Sequence, residues 1–360
     1  MTAAPTVSII LPTLNERGFI RDCLDSLLAQ DYASVAEILV ADGGSDDGTR
    51  EIVARAGGNV RLVDNPGVSA AAGMNTGLAC ATGDVVVRAD AHTLYAGDYV
   101  RRCVAVLLET GADNVGGPMR PVGTSNFGRA VAAVTSSPFG VGPGRFHYAD
   151  RRQDVDTVYL GCWYRATLEA LGGYDESRLQ WAAEDQELNF RLRRRRGRVV
   201  VDPTIRSWYF PRGDPAALAR QYFNYGMAKA STLAKHRSLP SWRPLAPAGL
   251  VAVTALAAAS RGLPRLVVPA AHAGACAAVA ARLAKDPGVA FHRAWGALAI
   301  CHWSYGLGVW SGLGRILTGR GFDQQPRRRA TGRRSPRPLA PPGASIRRGA
   351  TRPPRAQGGS

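Results

Sequence analysis

Between residues 7 and 116, short runs of β-branched and aliphatic residues alternate with helical patterns, and loops of a few residues join them. The apolar runs fall at 7–11 (closed by Pro12), 37–41, 60–63, 84–88 and 114–116. A helical pattern at 17–30 puts Ile20, Cys23, Leu24, Leu27 and Leu28 on one face, and others follow at 49–55, 69–79 and 98–109. Such alternation predicts an α/β fold: a parallel sheet with right-handed crossovers and helices on both faces. Ligands of open α/β sheets bind beyond the carboxyl ends of the strands, so the residues that close each run are the first functional candidates.

The fourth run ends in Arg88-Ala89-Asp90-Ala91-His92. Continued strand geometry would put Asp90 and His92 on one side, where a carboxylate and an imidazole can hold a divalent cation. A cation there could in turn hold a diphosphate. The plainer reading is an aspartate that caps the next element and a histidine that faces solvent. The first run lacks a following G-x-G-x-x-G, which disfavours a dinucleotide-binding domain of the usual kind. A glycine loop follows the second run instead, Asp42-Gly43-Gly44-Ser45-Asp46-Asp47-Gly48-Thr49. Its aspartates would repel a phosphate and suit a base or ribose better, with Asp42 at the strand end best placed. Ser45 or Asp46 could equally cap the next helix.

Residues 118–156 are irregular and Gly/Pro-rich, which predicts a long functional or mobile loop. A strand at 158–165 follows. Glu184-Asp185 opens a helix that ends in arginines at 193–196. Acids first and bases last complement the helix dipole, so charge alone accounts for the pair, and catalysis is the second reading. A helix at 215–235 carries Arg220-Gln221-Tyr222-Phe223-Asn224-Tyr225-Gly226, either as a packed helix or as an interfacial shelf beneath a site.

From residue 245 the composition becomes membrane-like. Stretches 245–260 and 266–281 are marginal for a bilayer span of roughly 20 residues. The stretch 294–313, with Trp295, Trp303, Tyr305 and Trp310, is expected to meet that length. Buried helices of a soluble protein are the alternative. Three full spans would put the Arg-rich tail outside, against the positive-inside tendency; a re-entrant first pair would avoid this. The net charge is +17, of which residues 319–360 supply +10 through eleven arginines and one acid. That tail is disordered by composition and suits anionic lipid headgroups. It lacks interleaved aromatics, so no nucleic-acid module is expected. Six cysteines without a C-x-x-C pair argue against a structural zinc site or a disulfide framework. Met1 to Thr6 carries no secretory signal, which predicts a cytoplasmic first half. Three regions are expected: 1–238 catalytic, 239–318 hydrophobic and membrane-associated with two or three helices, and 319–360 as tail.

The stretches VSIILPTLNE (7–16), VADGGSDDGT (40–49), RADAH (88–92), LGGYDE (171–176), EDQELNFRLRRRRG (184–197) and RQYFNYG (220–226) occur together in this order. In this the chain resembles family 2 glycosyltransferases, most closely the ExoA-type exopolysaccharide glucosyltransferases of bacteria, and Cys301 to Gly308 resembles that group's last segment. The resemblance implies a GT-A fold with a mixed, mainly parallel sheet, and a metal-dependent, inverting hexosyltransferase. It implies a UDP-sugar donor, a lipid-linked or saccharide acceptor, a place at the cell membrane, and other polysaccharide-assembly proteins as partners. On this basis Pro12, Thr13 and Glu16 line the nucleoside pocket, Asp42 bonds the uracil, and Arg88 and Asp90 contribute to the donor site. Asp90 and His92 hold Mn²⁺ or Mg²⁺, with His92 where the family more often has a second aspartate. Asp185 is the catalytic base, and Trp181, Glu184 and Gln221 stand toward the acceptor. The Arg-Trp of processive synthases is missing after Gln221. A polyprenyl-phosphate sugar transferase, a processive synthase and a non-catalytic membrane scaffold are the rival readings.

Overall fold

The computed structural model describes residues 4–322 except 143, 178–182, 212, 239–241, 243 and 261–263. The expected disorder of the tail beyond 322, and the role expected of Trp181, lie outside the described residues. In chain order the first half runs β1 (Val7–Thr13), α1 (Ile20–Leu28), β2 (Val35–Asp42), α2 (Thr49–Ala54), β3 (Val60–Asp64), α3 (Ala70–Cys80), β4 (Val85–Arg88), β5 (Thr93–Tyr95), α4 (Tyr99–Thr110) and β6 (Asn114–Gly117). It continues with β7 (Arg120–Pro121), α5 (Asn126–Thr135), α6 (Pro138–Val141), β8 (Gln153–Asp154), β9 (Tyr159–Tyr164), α7 (Arg165–Ala170), α8 (Glu184–Arg194), β10 (Val199–Val201), β11 (Ser207–Tyr209) and α9 (Pro215–His236). Then come α10 (Leu245–Ala258), α11 (Pro264–Leu283) and α12 (Phe291–Leu317).

Eight strands form the main sheet in the order β3-β2-β1-β4-β9-β6-β10-β8. The alternation predicted a parallel sheet, and β3, β2, β1 and β4 are indeed mutually parallel. The sheet as a whole is mixed, because β9 inserts antiparallel between β4 and β6. From β1 the chain winds outward through β2 to β3, then returns to add β4 on the other side of β1. The order therefore reverses between β1 and β4, the position at which such sheets open a crevice.

Both faces of the central strands are buried, which is why they read as unbroken apolar runs. Ile9, Leu11, Val85 and Val87 face Leu24, Leu27, Val100 and Leu107 on one side. Ile10, Leu39 and Val86 face Met74, Leu168 and Leu188 on the other. Pro12 is tolerated in a central strand because pairing with β4 has already ended at Ile10↔Arg88, leaving only β2 beside it. Helix α3 starts at Ser69, whose side chain accepts from Ala72 N at 3.1 Å. It is rich in small residues because it lies against β1: a Cβ at Gly77 would sit 2.3 Å from Ile10.

Two expectations are corrected. The irregular region 118–156 is not one long loop. It holds α5, capped by Ser125 accepting from Gly128 N at 2.9 Å, and the edge strands β7 and β8. The apolar stretch expected to span a bilayer most readily, 294–313, is not the one that proves long and apolar enough to do so. It lies in α12, whose Trp, Tyr, His and Gly content lowers its hydropathy. One side of α12 is committed to α9, where Gly226 and Gly308 bring the backbones together. A Cβ at Gly226 would lie 2.1 Å from the Tyr305 carbonyl, and one at Gly308 would lie 2.0 Å from that of Phe223. Among the described residues, the helix long and apolar enough to cross a membrane is Arg265–Leu283, within α11. Helix α9 is a packed helix, with Leu218, Tyr222 and Gly226 buried.

Candidate active site

Strands β2, β1 and β4 end side by side, at Asp42, Thr13 and Arg88, on the carboxyl edge of the sheet. Arg88 is the centre of the site. Its guanidinium is buried, and it donates from Nη1 to Asp185 and from Nη2 to Glu184 Oε1 at 2.8 Å. Asp90 Oδ1 stands 3.5 Å from the same Nη2. Burial opposes the positive charge of Arg88, but Asp185, Asp90 and Glu184 outweigh that and hold its pKa well above the ordinary value.

Asp185 and Glu184 open α8 directly after Ala183, whose φ of +66° is left-handed. A non-glycine residue persists there only where surrounding contacts fix it. Those contacts begin with Glu187, wholly buried, which pairs with Arg191 at 2.9 Å, Lys235 at 2.7 Å and His236 at 2.8 Å. Arg191 also donates to the carbonyls of Leu171 and Gly173, at 2.6 and 2.7 Å. Asn75 grips the next residue, Tyr174, by its backbone: Tyr174 N donates to Asn75 Oδ1 at 2.7 Å, and Asn75 Nδ2 donates to the Tyr174 carbonyl at 2.9 Å. The Tyr174 ring then backs the Arg88 guanidinium, 5.9 Å from its centroid. The motif LGGYDE thus works through its backbone and the Tyr174 ring, and it seats Arg88 beneath the two carboxylates of α8.

Burial pushes the Asp185 carboxyl up. Arg88 opposes this, Glu184 and Asp90 add to it, and the balance leaves a pKa of about 7. The side chain retains 21% exposure, enough for a hydroxyl to approach. A carboxylate poised near neutral pH, partly open and fixed at a helix start, is suited to accept a proton.

Asp42 does different work. Its Oδ1 accepts from Gly44 N at 3.0 Å, Ser45 N at 2.9 Å and Arg50 Nη1 at 2.9 Å, and its Oδ2 accepts from Ser45 Oγ at 2.5 Å. Burial alone would raise its pKa, but these bonds from Ser45, Arg50 and Gly44 hold it below the usual carboxylate range. Asp42 therefore shapes the glycine loop. Asn15, at φ +56°, laces that loop to the end of β1: its N donates to Ser45 Oγ at 2.8 Å and its Oδ1 accepts from Asp46 N at 3.0 Å. Neither Ser45 nor Asp46 caps α2. Asp47 makes the turn instead, accepting from Thr49 N at 3.0 Å. Thr13 is buried and donates to the Leu11 carbonyl at 3.1 Å, with Pro12 beside it half-buried.

Strand β4 stops at Arg88, and Ala91-His92 is a turn, so strand alternation does not carry through to His92. Asp90 faces Arg88, whereas His92 Nδ1 lies 3.6 Å from Glu16 Oε1. The His92 ring packs edge-on to Tyr209, 5.2 Å between centroids, with Phe19 at 6.5 Å. Gln221 reaches this cluster from α9, donating to Tyr225 Oη at 3.0 Å and to Tyr209 Oη at 3.4 Å. Sequence reasoning gave no role to Tyr209 or Phe19. The signal of Tyr209 was weak because β11 is three residues long and carries no periodic pattern, and Phe19 stands outside the regular elements, just before α1.

A family model described as Glycosyl transferase family 2 matches residues 8–163. The succinoglycan biosynthesis protein ExoA of Rhizobium meliloti is 34% identical over 244 residues, which cover 66% of this chain and 73% of that protein. The chain belongs to glycosyl transferase family 2. A further relative of this family 2 chain is the dolichyl N-acetyl-alpha-D-glucosaminyl phosphate 3-beta-D-2,3-diacetamido-2,3-dideoxy-beta-D-glucuronosyltransferase of Methanococcus voltae. It is 25% identical over 245 residues, covering 64% of this chain and 74% of that one. Among solved structures, the mannosyltransferase PcManGT from Pyrobaculum calidifontis, in complex with GDP-Man and Mn²⁺, superimposes with a TM-score of 0.57 at 22% identity. The match covers 84% of this chain and 88% of that one, and the shared fold is GT-A-like. The family 2 chain is a glycosyltransferase of polysaccharide or glycan synthesis.

Proposed function

We propose that the protein is an inverting hexosyltransferase, moving a sugar such as glucose from a UDP-sugar to a lipid-linked or saccharide acceptor during cell-surface polysaccharide synthesis. The observation that carries this reading is Asp185: a partly open carboxylate with a pKa of about 7, held by Arg88 at the carboxyl edge of the sheet. It accepts the acceptor hydroxyl's proton as that oxygen attacks the anomeric carbon, and the nucleoside diphosphate leaves from the opposite face. One such displacement inverts the configuration. The ExoA and Methanococcus relatives support a glycan product and, for the latter, a lipid-linked acceptor. Membrane association is supported by α11.

A divalent cation, Mn²⁺ or Mg²⁺, fits the donor set. One guanidinium faces three carboxylates, Asp90, Glu184 and Asp185, so the cluster carries excess negative charge. Asp90 keeps 20% of its side chain exposed in this cluster, and His92, beside Glu16, keeps 24%; an oxygen–imidazole pair accepts Mn²⁺ readily. When bound, the cation would screen the two phosphates and stabilise the leaving diphosphate. Pro12, Thr13 and Glu16 border the nucleoside, and Asp42 holds the loop that meets the base.

The test is a transfer assay with labelled UDP-glucose, UDP-galactose and GDP-mannose on extracted lipid-linked acceptors, with Mn²⁺ or with EDTA. A UDP-hexose should be transferred in single additions, with inversion seen by NMR of the product and loss in EDTA. A long polymer made by this chain alone, or retention of configuration, would overturn the reading, and indifference to EDTA would remove the cation from it.

A further inference from the structure

Away from the sheet edge, three ligand-type side chains converge where α11 meets α12. Among the described residues, His272, Cys276 and His302 are the group of three or more His, Cys, Asp or Glu whose ligand atoms approach one another closely, all within 4.8 Å. His272 and Cys276 are four residues apart on α11, so both project from one face of that helix. His302 comes from α12. His272 Nε2 lies 3.0 Å from His302 Nδ1 and 3.5 Å from Cys276 Sγ.

The proton placement on His302 follows from its other nitrogen. His302 Nε2 is 2.8 Å from the carbonyl oxygen of Phe139, which can only accept, so Nε2 carries the hydrogen. In the neutral ring Nδ1 is then a bare lone pair aimed at His272. An imidazole whose far N–H is anchored on a backbone carbonyl is the usual arrangement of a metal-binding histidine. The spacing agrees as well. Tetrahedral zinc, with bonds of roughly 2.0–2.1 Å to nitrogen and 2.3 Å to sulfur, separates two nitrogens by about 3.4 Å and nitrogen from sulfur by about 3.6 Å. The observed 3.0 and 3.5 Å need only a few tenths of an ångström of opening, and Cys276 Sγ and His302 Nδ1, which lie within 4.8 Å of each other, need to close by up to about 1.2 Å.

We infer that His272, Cys276 and His302 form a zinc site that ties α11 and α12 to the α6 turn through Phe139. On binding, His272 moves its proton from Nε2 to Nδ1 so that Nε2 can ligate, and the Cys276 thiol proton is released to solvent, leaving the fourth tetrahedral position to water. A set of two imidazoles and a thiolate, without a carboxylate, selects Zn²⁺ or Co²⁺ over Mg²⁺ and Mn²⁺. The sequence pointed away from zinc because the cysteines lack C-x-x-C spacing. Here the ligands are one His-x-x-x-Cys pair and a histidine from the next helix.

The test uses the full chain in detergent, loaded with Zn²⁺ or with Co²⁺ and passed through gel filtration. We expect about one zinc per chain by elemental analysis and, with cobalt, a thiolate-to-metal charge-transfer band. Cys276→Ser should abolish that band, and His302→Ala should weaken zinc binding at least ~10-fold. His92→Ala should leave the band unchanged, because it lies in the other site. A wild-type chain that retains no zinc and shows no band overturns the inference, as does a band that survives Cys276→Ser. Should Cys276→Ser unfold by circular dichroism, protection of wild-type Cys276 from alkylation by zinc decides in its place, and equal labelling with and without zinc overturns the site.

Discussion

Replacing Glu184 by glutamine removes a negative charge that raises the Asp185 pKa, while Gln Oε1 can still accept from Arg88 Nη2. Two carboxylates bridged by one guanidinium have charge centres on the order of 6 Å apart, and at an effective dielectric of about 20 their repulsion is roughly 3 kcal/mol. Partial exposure of both side chains, 11% and 21%, and the guanidinium between them reduce this to roughly half. The Asp185 pKa, about 7 in the native chain, should therefore fall by roughly one pH unit. The sign follows from the role of a base: a lower pKa keeps it ionised in more acidic solution. At pH 6 the ionised fraction would rise from about one-tenth to about one-half, so activity relative to the plateau should rise roughly fivefold. The assay is kcat/KM for sugar transfer between pH 5 and 8.5 at saturating metal. An acid limb that stays in place, or moves to higher pH, would refute the electrostatic argument.

Two further outcomes test how the site is held. Gly308→Ala places a methyl 2.0 Å from the Phe223 carbonyl, forcing α9 and α12 apart, and should destabilise by roughly 2–3 kcal/mol, seen as a lower thermal midpoint. Glu187→Ala leaves Lys235, His236 and Arg191 without their shared buried carboxylate and should destabilise by about 3–5 kcal/mol in denaturant titration.

The sheet was legible because its central strands are buried on both faces and so appear as unbroken aliphatic runs ending at Thr13, Asp42 and Arg88. Helix α8 was legible from its acidic start and basic end. What escaped was set by contacts distant in sequence. Arg88 meets Glu184 and Asp185 across 96 and 97 residues, and no local pattern encodes that. The placement of His92 was misjudged because strand alternation was extended past Arg88, where the chain turns. Helix α5 was hidden by the Gly and Pro residues around it, although Ser125 is an ordinary cap. The stretch 294–313 is less apolar than its length suggests, because its Trp, Tyr, His and Gly residues, among them the glycines that pack α12 on α9, lower its hydropathy. Asp42 was found, but its four donors show it to be a loop anchor, which its position at a strand end could not reveal.

The most direct measurement of the central claim is sugar transfer by Asp185→Asn, with donor binding measured in parallel. Removing a positioned general base should lower kcat by roughly 10²–10⁴-fold while leaving nucleotide-sugar affinity within a few-fold of the native chain. Transfer that persists within tenfold of the native rate, in a variant that still folds and binds donor, would contradict the assignment of Asp185 as the base.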